Sequence, residues 1–177
     1  KMEDIKDKEE SINFMQKDLT RYIVQLSRVK LTESQSVVVP AMITSVNNVE
    51  RAGDRVIEIA SLCQKKIDAE LDFTDKAVRE MKEMEATLVE MLDIAILCLK
   101  EPNPKAIEKM VILEEKLDTQ AEEFQENHIK RLNMGSCNVD SGVLFIDIIS
   151  HLERIGDYAY KITMMTKDEL FGEKRKI

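Results

Sequence analysis

The stretch His151-Leu152-Glu153-Arg154-Ile155-Gly156-Asp157 constrains the fold more than any other, because nearly the same residues occur earlier as Asn48-Val49-Glu50-Arg51-Ala52-Gly53-Asp54. Glu, Arg, Gly and Asp recur at an offset of 103 residues, and apolar positions keep that offset: Met42 with Phe145, Ile43 with Ile146, Val46 with Ile149, Ile59 with Ile162. The chain is a duplication. Both copies read as the middle of a long helix, with apolar residues every three or four positions. A glycine there costs about 1 kcal/mol relative to alanine, yet two of the five glycines occupy the same place in both copies. Gly53 and Gly156 therefore predict that another helix approaches closely. Glu50 and Asp54 are one turn apart, as are Glu153 and Asp157, so each pair sets two carboxylates on one face. Val49, Gly53, Val56 and Ala60 form an apolar line beside the first pair.

Composition narrows the class. With 177 residues and 44% hydrophobic content, the expectation is one domain over residues 1–177 with a sizeable core. Three prolines leave few turns, and five Phe with three Tyr give little support for sheet. Abundant Glu, Lys, Leu, Met and Ala favour helix, so the fold is expected to be all-α. A net charge of −8 excludes a general nucleic-acid binder, which needs clustered Lys and Arg, and favours cations or basic partner surfaces. Cys63, Cys98 and Cys137 form no CxxC pair, so neither a disulfide framework nor a thiolate zinc site is suggested, and a reducing cytoplasmic compartment fits. No run approaches the ~20 apolar residues that span a bilayer, and nothing resembles a signal peptide. A first residue of Lys1 rather than Met is compatible with a fragment.

Five long antiparallel helices are expected. The first covers residues 2–29, with Ile5, Ile12, Met15, Leu19, Ile23 and Leu26 on one face and Glu9 inside that stripe. Thr32 and Gln35 form a candidate capping box for a second helix reaching residue 68. Pro40 lies within it and should kink it or mark where its regular part begins. Thr74 is the candidate N-cap of a third helix, to residue 100, carried by residues such as Met84 and Leu88. Asn103 as N-cap and Pro104 at the first helical position open a fourth, to residue 132, where Glu114 interrupts a stripe of Ile107, Val111, Leu117, Ala121 and Phe124. Residues 133–138 read as a loop, and 140–165 as the fifth helix; the polar residues after it are expected to fray. His128 continues the fourth stripe as a satisfied core histidine, and the methionines read as packing. Cys137, in a loop with no basic helix start nearby, is expected to be inert.

The duplication extends to the acids. Glu9-Glu10-Ser11-Ile12-Asn13 matches Glu114-Glu115-Lys116-Leu117-Asp118 at an offset of 105. Repeat one then spans residues 2–70 and repeat two residues 74–167, each with an acidic pair on one helix and the ERxGD word on the next. Composition alone yields roughly six acidic pairs at one-turn spacing, so a single pair means little. Four in a duplicated arrangement, two of them interrupting apolar stripes, mean more. A carboxylate on an apolar face must find a cation, either a metal or an arginine such as Arg51 or Arg154.

This pattern resembles the PhoU family, and the resemblance covers nearly the whole chain. It implies two repeated helical bundles with acidic motifs that bind multinuclear metal clusters. By resemblance, one site uses Glu9, Asn13, Glu50 and Asp54, and the other Glu114, Asp118, Glu153 and Asp157. Iron or another hard cation suits oxygen ligands. Asn13 stands where the family has aspartate, which weakens the first site. Asn48 and His151 stand where it often has Asp; His151 is two residues from Glu153, points elsewhere, and reads as structural or capping. Repeat one lacks the helix that precedes Glu9, the counterpart of residues 74–100. An apolar groove is left to remain open or be filled by another chain, which makes a homodimer an expectation.

The resemblance implies regulation of phosphate transport through protein contacts. The run KEESINFMQKDLTRYIVQLS and the later HIKRL point to the cytosolic tail of a sodium–phosphate cotransporter, an inner-membrane protein. The alternative is a stand-alone negative regulator acting with a phosphate transporter and its sensor kinase. A third reading is a helical adaptor without metal. An enzyme is not expected: a di-metal oxidase needs Glu-x-x-His on two helices, but Gln125 precedes His128 and Ile148 precedes His151. No GxGxxG, P-loop, GxSxG or HExxH occurs either.

Overall fold

Four polar side chains start helices by accepting from otherwise unpaired amides of the first turn. Thr32 Oγ1 accepts from the Gln35 amide while the Gln35 side chain accepts from the Thr32 amide, which closes the expected capping box. Thr74 Oγ1 accepts from Ala77 N, and Asn103 Oδ1 accepts from Ala106 N behind Pro104. Asn138 Oδ1 accepts from the amides of Asp140 and Ser141. In the computed structural model, which describes residues 2–167, the helices are α1 (Met2–Leu26), α2 (Glu33–Asp68), α3 (Asp75–Lys100), α4 (Pro104–Asn133) and α5 (Val139–Met165). No strand occurs among the described residues, and the all-α expectation of five long helices holds. The expected fraying falls on residues 168–177, which lie outside the described residues.

One local expectation is corrected, and one of two alternatives is removed. The first helix stops at Leu26 and not at Val29. Ser27 follows it, and its hydroxyl donates to the Val24 carbonyl, a local bond that competes with continued helix. Pro40 does not mark a beginning: α2 runs unbroken from Glu33 through it. Both Pro40 and Ser36, whose carbonyl loses its helical partner, are exposed, so water satisfies the freed group.

α3, α4 and α5 all pack on one another, α2 lies along α5, and α1 lies along α2. The largest fully buried side chains, among them Met84, Met91, Met110, Leu117, Phe145 and Ile149, come mostly from α3, α4 and α5. α4 buries eight residues, whereas α1, its counterpart in the repeat, buries only Ile23.

A polar network inside this core was not foreseen. Glu80 of α3 is buried, and its Oε1 accepts from Arg131 Nη1 at 3.0 Å and from Asn127 Nδ2 at 3.1 Å. The Arg131 guanidinium also lies over the Phe145 ring, 5.2 Å from its centroid, a cation–π contact. His128, one turn earlier on α4, is in the core as expected but is not satisfied: its Nε2 is buried without a hydrogen-bond partner. The ring packs against Phe145, with centroids 5.5 Å apart. Burial, and secondarily Arg131, hold the His128 pKa below its usual value. A depressed folded-state pKa means the unfolded chain takes the proton first, so the contribution to stability is present above about pH 6.5 and is lost as pH falls through the folded value. His128→Leu, which fills the space without titrating, is therefore expected to lose less melting temperature than the wild type between pH 7 and pH 5. Equal pH slopes for the two proteins would contradict this.

Candidate metal centre

Glu114 and Asp118 stand one turn apart on α4; Glu153 and Asp157 stand one turn apart on α5. Gly156 brings the two helices together. A Cβ there would lie 2.1 Å from Leu117 Cδ2, so any side chain at this position requires Leu117 to move. The close approach carries Asp157 toward the α4 pair: Glu114, Asp118 and Asp157 each offer a carboxylate oxygen, and these atoms lie within 4.8 Å of one another. Glu114, Glu153 and Asp157 are half-buried, and Asp118 is exposed.

The electrostatics of the group are those of crowded acids. Burial, then the negative charges of Asp118, Asp157 and Glu115, raise the Glu114 pKa above the usual carboxylate value. Burial, Asp157 and Glu122 raise that of Asp118. Glu153 is raised by burial, then by Asp118 and Asp157, with Arg154 opposing. Each shift records a free-energy cost of ionisation that a bound cation would relieve. The arginines that offer an alternative cation are not paired with the acids: among the described residues, neither Arg51 nor Arg154 makes an ion pair, and Arg154 acts on Glu153 only at longer range. Lys161 Nζ lies 3.7 Å from Asp157 Oδ2, but the lysine side chain is exposed and Asp157 only half-buried, and such pairs contribute little. Clustered carboxylate oxygens suit a hard cation, and these residues fit one.

The first repeat differs. Glu9 and Asn13 of α1 and Glu50 and Asp54 of α2 are all half-buried, but among the described residues no three acidic ligand atoms gather there. Asn13 Nδ2 donates to Glu9 Oε1, so the asparagine supplies a donor and engages an oxygen that a metal would need. His151 sits in the middle of α5, so it is not a cap; its Nδ1 is buried and unpartnered. Burial and Arg55 lower its pKa most, and two helical positions, roughly 200° of rotation, separate it from Glu153. Cys137 lies in the α4–α5 connection and is a free thiol.

Residues 81–166, just under half of the chain, match the family model described as the PhoU domain. That stretch is similar to the PhoU domain. The match takes in most of α3 and the whole of α4 and α5, with Glu114, Asp118, Glu153 and Asp157 inside it. Two solved structures extend the likeness over both repeats. The phosphate transport system regulatory protein PhoU from Streptococcus pneumoniae superposes with a TM-score of 0.83 at 20% identity, covering 97% of this chain and 80% of that one. PhoU from Pseudomonas aeruginosa superposes with a TM-score of 0.86 at 16% identity, covering 93% of this chain and 78% of its own. At these identities the likeness establishes a PhoU fold. No curated protein matches the chain in sequence. No described helix is long and apolar enough to cross a membrane.

Proposed function

We propose that this chain regulates phosphate transport through protein contacts, and that a hard metal ion held by Glu114, Asp118, Glu153 and Asp157 fixes the α4–α5 surface. The carboxylate cluster carries this reading, because three mutually repelling acids converge without an arginine among them. The likeness to the PhoU domain supports it, as does the regulatory role of the S. pneumoniae protein of the same fold. Both matched structures are PhoU proteins, which favours the stand-alone regulator over the cotransporter tail. Such a regulator works in the cytoplasm, against a phosphate transporter or its sensor-kinase complex, and catalyses no reaction. The metal, iron or a similar hard cation, would neutralise the acids and cross-link α4 to α5. Partner affinity would then follow metal occupancy.

The test is elemental analysis of the chain purified without chelator, beside an Asp118→Asn/Asp157→Asn variant. The wild type is expected to hold stoichiometric hard metal, and the variant to lose most of it while keeping its helical circular dichroism. Without metal, the variant should melt higher than the wild type, since two repelling carboxylates are gone. A Glu50→Gln/Asp54→Asn variant should keep most of its metal, given the Asn13–Glu9 bond. Trace metal in every protein would overturn the metal reading and leave a helical adaptor with solvated acids.

A further inference from the structure

Buried polar atoms gather where the end of α4 meets the start of α5, about four helical turns or roughly 20 Å along α4 from Glu114. Among the described residues, His128 Nε2, Arg131 Nε and Nη2, and Ser141 Oγ are buried without a hydrogen-bond partner. The three residues are 2%, 8% and 3% exposed. They line one hollow of about 10 Å³, together with Phe145 and with Asp72 of the α2–α3 connection. Gly142 keeps the place clear, since a Cβ there would lie 2.4 Å from His128 Nε2. A buried donor or acceptor left unpaired is costly, so several in one hollow point to a shared ligand.

Size and charge decide the ligand's class. A hollow of this volume holds one water-sized species and is too small for phosphate or a carboxylate. The charges that line it are already matched: Arg131 Nη1 holds Glu80, and Asp72, its side chain 99% exposed, pairs with Lys66 at 3.5 Å. Burial and Arg131 keep His128 uncharged as well. The polar atoms are of mixed kind, since the guanidinium only donates whereas the hydroxyl and the imidazole nitrogen can donate or accept. A halide ion only accepts; water does both. We propose that this hollow is a hydration site, in which one water enters past Asp72, accepts from Arg131 and bridges to His128 Nε2 and Ser141 Oγ. It joins α4 to α5 beside the connection between the repeats. The site stands apart from the metal reading, since none of the clustered acids takes part.

The test is a high-resolution crystal structure of the full chain grown with bromide as the sole halide, beside a crystal soaked in inorganic phosphate. Both are expected to show one spherical peak within hydrogen-bond distance of His128 Nε2 and Ser141 Oγ, without anomalous signal at the bromine edge. His128→Leu removes a partner and fills the space, so its crystal should lack the peak. A bromide signal, a tetrahedral peak after the phosphate soak, no peak in the wild type, or a peak that survives in His128→Leu overturns the proposal. Solution melting gives an independent readout. Removing a water-bonded hydroxyl costs stability, whereas removing an unpaired buried one gains it. Ser141→Ala is therefore expected to lower the melting temperature by roughly 2–4 °C. An unchanged or raised melting temperature would mean that the hollow is dry, against the proposal.

Discussion

Arg131→Met is expected to destabilise the protein by about 3 kcal/mol or more, with a fall of roughly 10 °C in melting temperature. The reason is what the substitution leaves behind. Glu80 is 5% exposed, and Arg131 Nη1 approaches its two carboxylate oxygens at 3.0 and 2.9 Å. Methionine fills the arginine's space and keeps an apolar contact with Phe145, but it strands a buried carboxylate. Asn127 still donates to it, and Lys76 Nζ lies 3.9 Å away on a half-exposed stem, which keeps the loss toward the lower end of the range for a broken buried pair. Replacing both partners removes the stranded charge, so Glu80→Met/Arg131→Met should recover most of the stability. Urea unfolding of the single and double variants gives the comparison. A cost below about 1 kcal/mol for Arg131→Met alone would mean that water already reaches the pair.

That pair also marks what the sequence did not reveal. Three helix starts were legible because their signals are local: Thr32, Thr74 and Asn103 each bond an amide three residues on, within reach of a motif; the Asn138 cap of α5 is equally local but was read as loop. Pro40 left two alternatives open because the effect of an internal proline depends on whether the freed carbonyl meets water, which exposure decides. Glu80 and Arg131 lie 51 positions apart on different helices, so no spacing rule joins them. The available hint was that Glu80 falls between Ala77 and Met84 on the buried face of α3. For the candidate site, the duplication pointed to eight positions in two sets, with Asn13 expected to weaken the first. Among the described residues only the second gathers three acids, because Asn13 is a donor where Asp118 is an acceptor. Side-chain chemistry broke a symmetry that the backbone keeps.

The glycines test that broken symmetry most directly, and Gly142→Ala is expected to be the costliest, at about 3 kcal/mol. Its Cβ would lie 2.4 Å from both Cε1 and Nε2 of His128, a rigid ring 2% exposed with Phe145 beside it. The ring is rigid and closely packed, so relieving the overlap displaces His128 from Phe145 or moves α5 away from α4. Gly156→Ala meets the end of a leucine instead. Leu117 Cδ2 can turn away, but Leu117 and Met91 are both buried, so overpacking should exceed the roughly 1 kcal/mol gained in helix propensity and leave a net loss of about 1–2 kcal/mol. Gly53→Ala stands at the same place in the other copy with a different surrounding. Its Cβ would sit 3.3 Å from Cδ1 of half-buried Ile12, which has room to yield. The propensity gain then dominates, and the substitution should be neutral or stabilise by about 0.5 kcal/mol. Thermal melts of the three variants separate the two repeats. If Gly53→Ala costs as much as Gly156→Ala, the α1–α2 face is closed in solution by something packed as tightly as α3.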